Sequence, residues 1–258
     1  MCRLLGLVAN KPVDMEFSLS KFKKFAAYNP DGWGIGWYEH NSPMVFKQGI
    51  SAKAKESQLP ELSKTVRSKI IIAHVRKGTG APPSKANSHP FRYKNWLFAH
   101  NGSVDRDYLL SLLKDKYKKK LKGKTDSEVY FYWILQCIEE SKDVIEGVKK
   151  AVNIVTSSSY SGLNFLLSDG KCVYSFRYSK RYKDYYSLWL LKREPFESGA
   201  FEFESKETKA LLYGKLLKGE KAVLVCSEAL TKEKWKKIKF GNMLIIKPDL
   251  NTEEMRIL

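Results

Sequence analysis

The chain has 258 residues, 43% of them hydrophobic and 13% aromatic, enough to bury a large core and to exclude global disorder. Lys and Arg number 46 against 28 Asp and Glu, a formal charge of +18 that raises nucleic acid as a partner. The longest charge-free run, Ala151–Ser168, holds five Ser, one Thr and two Asn and is too polar for a membrane span; Leu4–Ala9 is too short for a signal peptide.

Short runs rich in β-branched and aromatic residues predict strands at Leu4–Ala9, Trp33–Tyr38, Lys69–Val75 and Trp96–His100. Asp105–Lys122 predicts one helix, with Tyr108, Leu109, Leu112 and Leu113 on a face and an acid-first, base-last order suited to the helix dipole. A second helix, Asp126–Ser141, opens on Thr125-Asp126-Ser127-Glu128, which supplies N-cap candidates and early acids. Val144–Val152 fits a third. Strands resume at Asn164–Leu167, Cys172–Tyr178, Ser187–Leu191, Ala222–Cys226 and Met243–Lys247, separated by turns such as Ser168-Asp169-Gly170. Strands, helices and strands again read as α+β, with sheets packed on helices. No repeat or Pro/Gly/Ser-rich linker divides the chain, so one domain over 1–258 is expected.

The four cysteines, Cys2, Cys137, Cys172 and Cys226, form no CxxC pair. That argues against structural zinc and a disulfide framework and points to a reducing, cytoplasmic setting. His74, His89 and His100 stand 15 and 11 residues apart, which fits no compact zinc pattern. His74 and His100 are expected at strand ends as hydrogen-bonded core residues. No metal or organic cofactor is indicated.

Cys2 is distinguished by position. With Met1 removed, a thiol and a free α-amine share one residue, and an amine of ordinary pKa about 7.7–8.0 can take the thiol proton directly or through a water. Cys2 also fits a small residue that merely follows an initiator Met. Arg76 ends an apolar strand in Ile72-Ala73-His74-Val75-Arg76-Lys77-Gly78-Thr79 and by itself fits a surface strand end. Asn101-Gly102 ends Phe98-Ala99-His100-Asn101-Gly102 and alone fits an ordinary turn. Asp126 alone fits a helix cap.

Cys2 and these segments in order, together with Asn29-Pro30-Asp31-Gly32-Trp33-Gly34 and Asn87-Ser88-His89-Pro90-Phe91, resemble the glutaminase domain of class II glutamine amidotransferases. Asp31–Tyr38, Ser88–Phe91 and Val225-Cys226-Ser227-Glu228-Ala229-Leu230 resemble the compact, stand-alone type. The resemblance implies an N-terminal-nucleophile αββα sandwich of two mostly antiparallel sheets between helical layers. It further implies that Cys2 attacks a side-chain amide, that Asn101 and Gly102 hold the oxyanion, and that Arg76 and Asp126 take the α-carboxylate and α-ammonium of glutamine or a γ-glutamyl compound. A wall or gating role is implied for His89, and Thr79 is expected to line the same pocket. Asp31 and Trp33 are expected to be structural, close to Cys2. Glycine at 102 is expected to let substrate approach the backbone. Lys77-Gly78 departs from many relatives, which carry a bulky or polar residue after the arginine, and predicts a more open or more basic wall.

The length leaves no room for a synthase domain, so ammonia would pass to a separate partner or hydrolysis would itself be the reaction. Two competing readings are a nucleic-acid binder and a catalytically inactive interaction domain on the same fold. The first rests on the net charge and on Lys114–Lys124, where seven Lys face one Asp, a pattern that also fits a solvated helix face. The excess of lysine also fits an acidic partner protein or an anionic substrate.

Overall fold

The computed structural model describes residues 2–14, 16, 22, 26–193 and 220–258. Its strands are β1 (Arg3–Val13), β2 (Trp33–Glu39), β3 (Ser42–Gln48), β4 (Ser68–Val75), β5 (Phe91–Tyr93), β6 (Trp96–Val104), β7 (Tyr160–Ser168), β8 (Val173–Phe176), β9 (Trp189–Arg193), β10 (Ala222–Cys226), β11 (Lys236–Lys237), β12 (Asn242–Ile246) and β13 (Thr252–Arg256). Its helices are α1 (Leu59–Thr65), α2 (Arg106–Leu112), α3 (Asp115–Lys118), α4 (Asp126–Ser141) and α5 (Val144–Thr156).

Two sheets form, ordered β11-β9-β10-β1-β4-β2-β3 and β13-β12-β8-β7-β6-β5. Every pairing in both is antiparallel. The central strands are buried on both faces, which is why they read as unbroken apolar runs rather than as alternating ones. In β1, Leu4 and Val8 face the second sheet and pack with Leu97, Ala99 and Leu166. Leu5, Leu7 and Ala9 point the other way, into a layer with Phe22, Ala52 and Leu59 of α1. On the far side of the second sheet, Phe98, Phe165 and Phe176 pack against α4 and α5. The result is the expected α+β sandwich of two sheets between outer layers.

Helix α4 is buried almost all round, from Ser127 to Ile138, as a helix covered on one side by a sheet and on the other by α5 must be. Gly147 of α5 lies so close to Ile138 that an added Cβ would fall 2.4 Å from its Cα; glycine there sets the spacing of the two helices. Thr125 accepts from the Glu128 N–H and is the N-cap of α4, so Asp126 is not the cap.

The single helix expected over Asp105–Lys122 is two short ones. Leu113 and Lys114 are extended, with ψ of 138° and 147°. Gln136 of α4 satisfies the break: its carbonyl accepts from the Lys114 N–H at 2.8 Å and its amide donates to the Leu112 carbonyl at 3.2 Å. A tertiary partner for the backbone outweighs local propensity here. Lys114 and Lys116 pair with Glu140 and Glu139 of α4, so part of the lysine cluster is a helix–helix seam rather than a solvated face. Among the described residues no helix is long and apolar enough to cross a membrane.

Candidate active site

Alternation along β1 and its neighbours sets the site. Cys2 shares parity with Leu4 and Val8, which face the second sheet. On β4, Ile70 and Ile72 face the same way, and His74 and Arg76 continue their parity. Arg3 is paired with Val75, so Cys2 comes to lie beside Arg76 at one end of the sandwich. From the second sheet, Asn101 shares the face of Leu97 and Ala99 and so is turned toward the first sheet.

At that end is a cleft of about 350 Å³, lined by Cys2, Arg76, Thr79, His89, Gly102 and Asp126 among others. Six of the seven residues singled out in the sequence thus share one cavity. The seventh, Asn101, lies next to Gly102 and is buried at 1% exposure; its side-chain NH2 has no hydrogen-bond partner among the described residues. A buried amide with an unmade bond is costly, and such groups recur where a ligand supplies the partner.

The Cys2 thiol lies 3.3 Å from the Lys77 N–H and 3.5 Å from the Lys77 carbonyl. Burial pushes the thiol pKa up, and the Lys77 backbone hydrogen bond opposes it. A thiol held in its protonated form needs a base before it can attack. Met1, whose removal would provide the α-amine of Cys2, lies outside the described residues.

Arg76 is 3% exposed, not a surface strand end. One guanidinium nitrogen donates to the Ala81 carbonyl at 2.6 Å and another to the Asp31 carbonyl at 3.4 Å, which fixes the plane of the fork. Asp31 scaffolds the loop: its carboxylate accepts from the Gly78 N–H at 2.8 Å, and its own N–H donates to the Arg76 carbonyl. Gly78 is needed for room, since a Cβ would meet the Arg76 guanidinium at 2.8 Å. Lys77-Gly78 therefore packs onto both Cys2 and Arg76 and does not leave that wall open. Trp33 lies in the outer layer of the first sheet against Phe46, on the face away from the cleft.

Asp126, the first residue of α4, accepts from the Val104 N–H through one oxygen at 2.9 Å. Asn101-Gly102 is not a terminal turn; β6 runs through it to Val104 with an irregularity after Gly102. Gly102 has φ +147°, and a Cβ would fall 1.8 Å from the Gly162 carbonyl oxygen of β7. The neighbouring strand, rather than substrate approach, is what excludes a side chain there.

Three buried histidines cluster at the cleft, which His89 and His100 line. His74 donates from Nε2 to the His100 carbonyl at 3.2 Å, and its ring centroid lies 4.1 Å from that of His89. His100 Nε2 lies 3.1 Å from the Gly162 carbonyl, which can only accept, so Nε2 carries the proton and Nδ1 accepts from the Ser127 hydroxyl at 2.9 Å. His100 sits mid-strand rather than at a strand end, and both ring nitrogens of His89 are buried without a partner among the described residues. Glycines make the space: a Cβ at Gly34 would meet the His89 carbonyl at 2.2 Å.

Burial lowers the pKa of all three rings, to about 3 at His74. In the unfolded chain these rings protonate near pH 6.5, so between that value and the folded pKa the unfolded state binds more protons. Stability is then fully present above pH 6.5 and is lost as pH falls. His74 alone is expected to remove about 2 kcal/mol between pH 7 and pH 5, and the other two act in the same direction. Urea unfolding at the two pH values reads this; an unchanged midpoint contradicts neutral burial.

The sequence reading missed the clamp on the N-terminal strand. The Leu4 N–H donates to the Ser227 hydroxyl at 2.9 Å, the Ser227 N–H donates to the Leu4 carbonyl at 3.0 Å, and Glu228 pairs with Arg3. The signal was the Val225–Leu230 segment, whose partner only the β1–β10 pairing identifies. Lys77 lines the cleft and makes that wall basic, the second of the two expectations for Lys77-Gly78. With Arg106 and Lys124, unanticipated as lining residues, and Arg76 the cleft has four cationic side chains against the carboxylate of Asp126.

The chain is 35% identical over 256 residues to an uncharacterized protein of Methanocaldococcus jannaschii, covering 96% of this chain and 69% of that one. It is 30% identical over 122 residues to a gamma-glutamyl-hercynylcysteine sulfoxide hydrolase of Mycobacterium tuberculosis, covering 42% of this chain and 52% of that one. Its fold matches a glutamine aminotransferase class-II domain protein from Silicibacter pomeroyi with a TM-score of 0.67 at 21% identity, covering 99% of each chain. The family model for class-II glutamine amidotransferases matches residues 1–254, and the chain belongs to that family.

Proposed function

We propose that the protein hydrolyses the side-chain amide of glutamine, or of a γ-glutamyl compound, with Cys2 as nucleophile after loss of Met1. The observation that carries this reading is the meeting of Cys2, Arg76 and Asp126 in one cleft: a nucleophile between a guanidinium and a carboxylate suits a zwitterionic amino-acid head. Arg76 takes the α-carboxylate and Asp126 the α-ammonium. Thr79 and His89 form the wall.

The thiol proton passes to the Cys2 amine as sulfur bonds the amide carbon. The oxyanion is received by the Asn101 side-chain NH2 and the Gly102 N–H, a kind of donor worth about 10²–10³ in rate. The carbon–nitrogen bond then breaks, with the amine's proton going to the departing nitrogen. Water resolves the γ-glutamyl thioester, returning a proton to sulfur and leaving glutamate. The neutral His89 suits a wall that excludes water without competing for the carboxylate. Lys77, Arg106 and Lys124 at the rim favour a substrate whose leaving part is itself anionic, such as a γ-glutamyl amino acid. The family relation to a γ-glutamyl hydrolase supports hydrolysis as an end in itself.

A diazoketone analogue of glutamine, added to protein lacking Met1, is expected to add its mass to Cys2 and to no other cysteine. Peptide mapping reads the site, and a parallel assay follows glutamate release from glutamine and from γ-glutamyl-glycine. Absence of an adduct at Cys2, with no glutamate from either compound, would overturn the reading.

A further inference from the structure

A second cavity, of about 500 Å³, lies on the other side of the wall formed by residues 89–91 and 122–128 and shares no lining residue with the cleft. That is the size of a small-molecule site. Phe91 and Tyr132 form apolar walls, while Lys47, Lys85, Arg92 and Lys122 contribute four cationic side chains. The lining also holds one carboxylate, Glu128, whose two oxygens accept the N–H groups of Lys122 and Gly123 at 3.0 and 2.7 Å.

Lys47 is the informative member. It is only partly exposed, and its ammonium sits 5.0 Å above the centre of the Phe91 ring. No carboxylate of the described residues lies within ion-pair distance of it, unlike Lys114, Lys116 and Lys150, each paired with a glutamate. Burial holds its pKa down to about 8; Glu128 opposes the shift, and Lys122 and Lys85 add to it. A partly desolvated ammonium facing two further lysines, its one neighbouring carboxylate, Glu128, beyond ion-pair distance, gains from an added anion. Exposed Lys85 and Lys122 converge on it from the 85–86 loop and from the loop before α4, whereas Arg92 is partly spent on the Pro43 carbonyl at 2.9 Å.

We propose that this cavity binds a small phosphorylated molecule, its phosphate held by Lys47, Lys85 and Lys122 and its apolar body lying against Phe91 and Tyr132. Lysines serve phosphate as point charges, and three of them around one opening match a dianion better than a single carboxylate. Phe91 and Tyr132, each 4% exposed, show the cavity a small apolar patch, which favours a molecule with an apolar portion over a bare ion. The site does not use Cys2 and stands independently of the reaction assigned to the cleft.

Calorimetric titration with phenyl phosphate, with inorganic phosphate and benzoate as comparisons, tests this in the full chain. Saturable one-to-one binding of phenyl phosphate is expected, tighter than that of either comparison compound and unchanged in Cys2→Ala. Lys47→Met keeps the side-chain volume and is expected to weaken it about tenfold or more, the loss of one charged contact. Lys85→Gln with Lys122→Gln, both at exposed positions, provides the same reading should Lys47→Met fold poorly. No saturable binding, binding equally strong in the lysine variants, or binding abolished by Lys77→Met at the other cleft would overturn the proposal.

Discussion

Alanine at position 2 is expected to lower turnover of glutamine or a γ-glutamyl amide by roughly 10⁴-fold or more, the scale seen when a covalent nucleophile is removed. The reasoning is geometric. The thiol lies against the Lys77 backbone in the cleft that Arg76 also lines, and no other cysteine lines that cleft. Cys137 and Cys226 are fully buried in the two outer layers of the core, and Cys172 precedes β8, packed at the edge of the helix-side core. Glutamate should still bind to the Cys2→Ala protein, because Arg76 and Asp126 are untouched. A chain that retains Met1 is expected to be similarly inactive, since its Cys2 nitrogen is an amide and cannot take up the thiol proton. Intact mass and steady-state kinetics on the same sample separate these cases. Wild-type turnover in Cys2→Ala would remove the nucleophile assignment altogether.

The second large effect is on folding. Gly102→Ala places a methyl 1.8 Å from the Gly162 carbonyl oxygen in a backbone with φ +147°, so steric and torsional strain coincide. Relief requires β6 to draw away from β7, and these two strands carry His100, Asn101, Asn164 and the hydrogen bond from His100 to Gly162. A loss of about 4 kcal/mol or more is expected, at the severe end for single substitutions. For a chain of this length that is a fall of roughly 10 °C in the unfolding midpoint. Gly80→Ala is the control: its added methyl meets nothing within 4 Å, and stability should not change. Equal midpoints for the two variants would show that the β6–β7 contact is softer than its geometry requires.

The clamp at β10 links these two effects. A nucleophile on the first or second residue of a chain would ordinarily fray, because terminal residues lack partners on one side. Here β1 lies in the middle of its sheet, with β4 on one side and β10 on the other, and Ser227 and Glu228 hold residues 3 and 4. Residues more than 220 positions away in the chain thus order the site at its start.

How much of this was readable in advance divides along physical lines. The central strands and α4 were legible because burial on both sides leaves a run of apolar residues; Ala222–Cys226 and Asp126–Ser141 have the bounds expected of them. The strands that went unseen, Ser42–Gln48, Phe91–Tyr93, Lys236–Lys237 and Thr252–Arg256, are the edge strands of the two sheets, where polar and charged residues and a proline are tolerated. The break between α2 and α3 was invisible because its cause is Gln136, more than twenty residues away.

The amino-acid sequence by itself determined the family, the α+β class and the chemical character of the candidate site, because thiol, guanidinium, amide and carboxylate groups recur there in a recognisable order. Only the tertiary structure decided that Asp126 is free of capping duty, that Gly102 answers to Gly162, that Asp31 and Gly78 hold the Arg76 fork, and that Lys47 lies half-buried with no carboxylate of the described residues at ion-pair distance. The reason is common to all four. Each depends on which atoms meet across strands and helices remote in sequence, and composition and local pattern carry no record of those meetings.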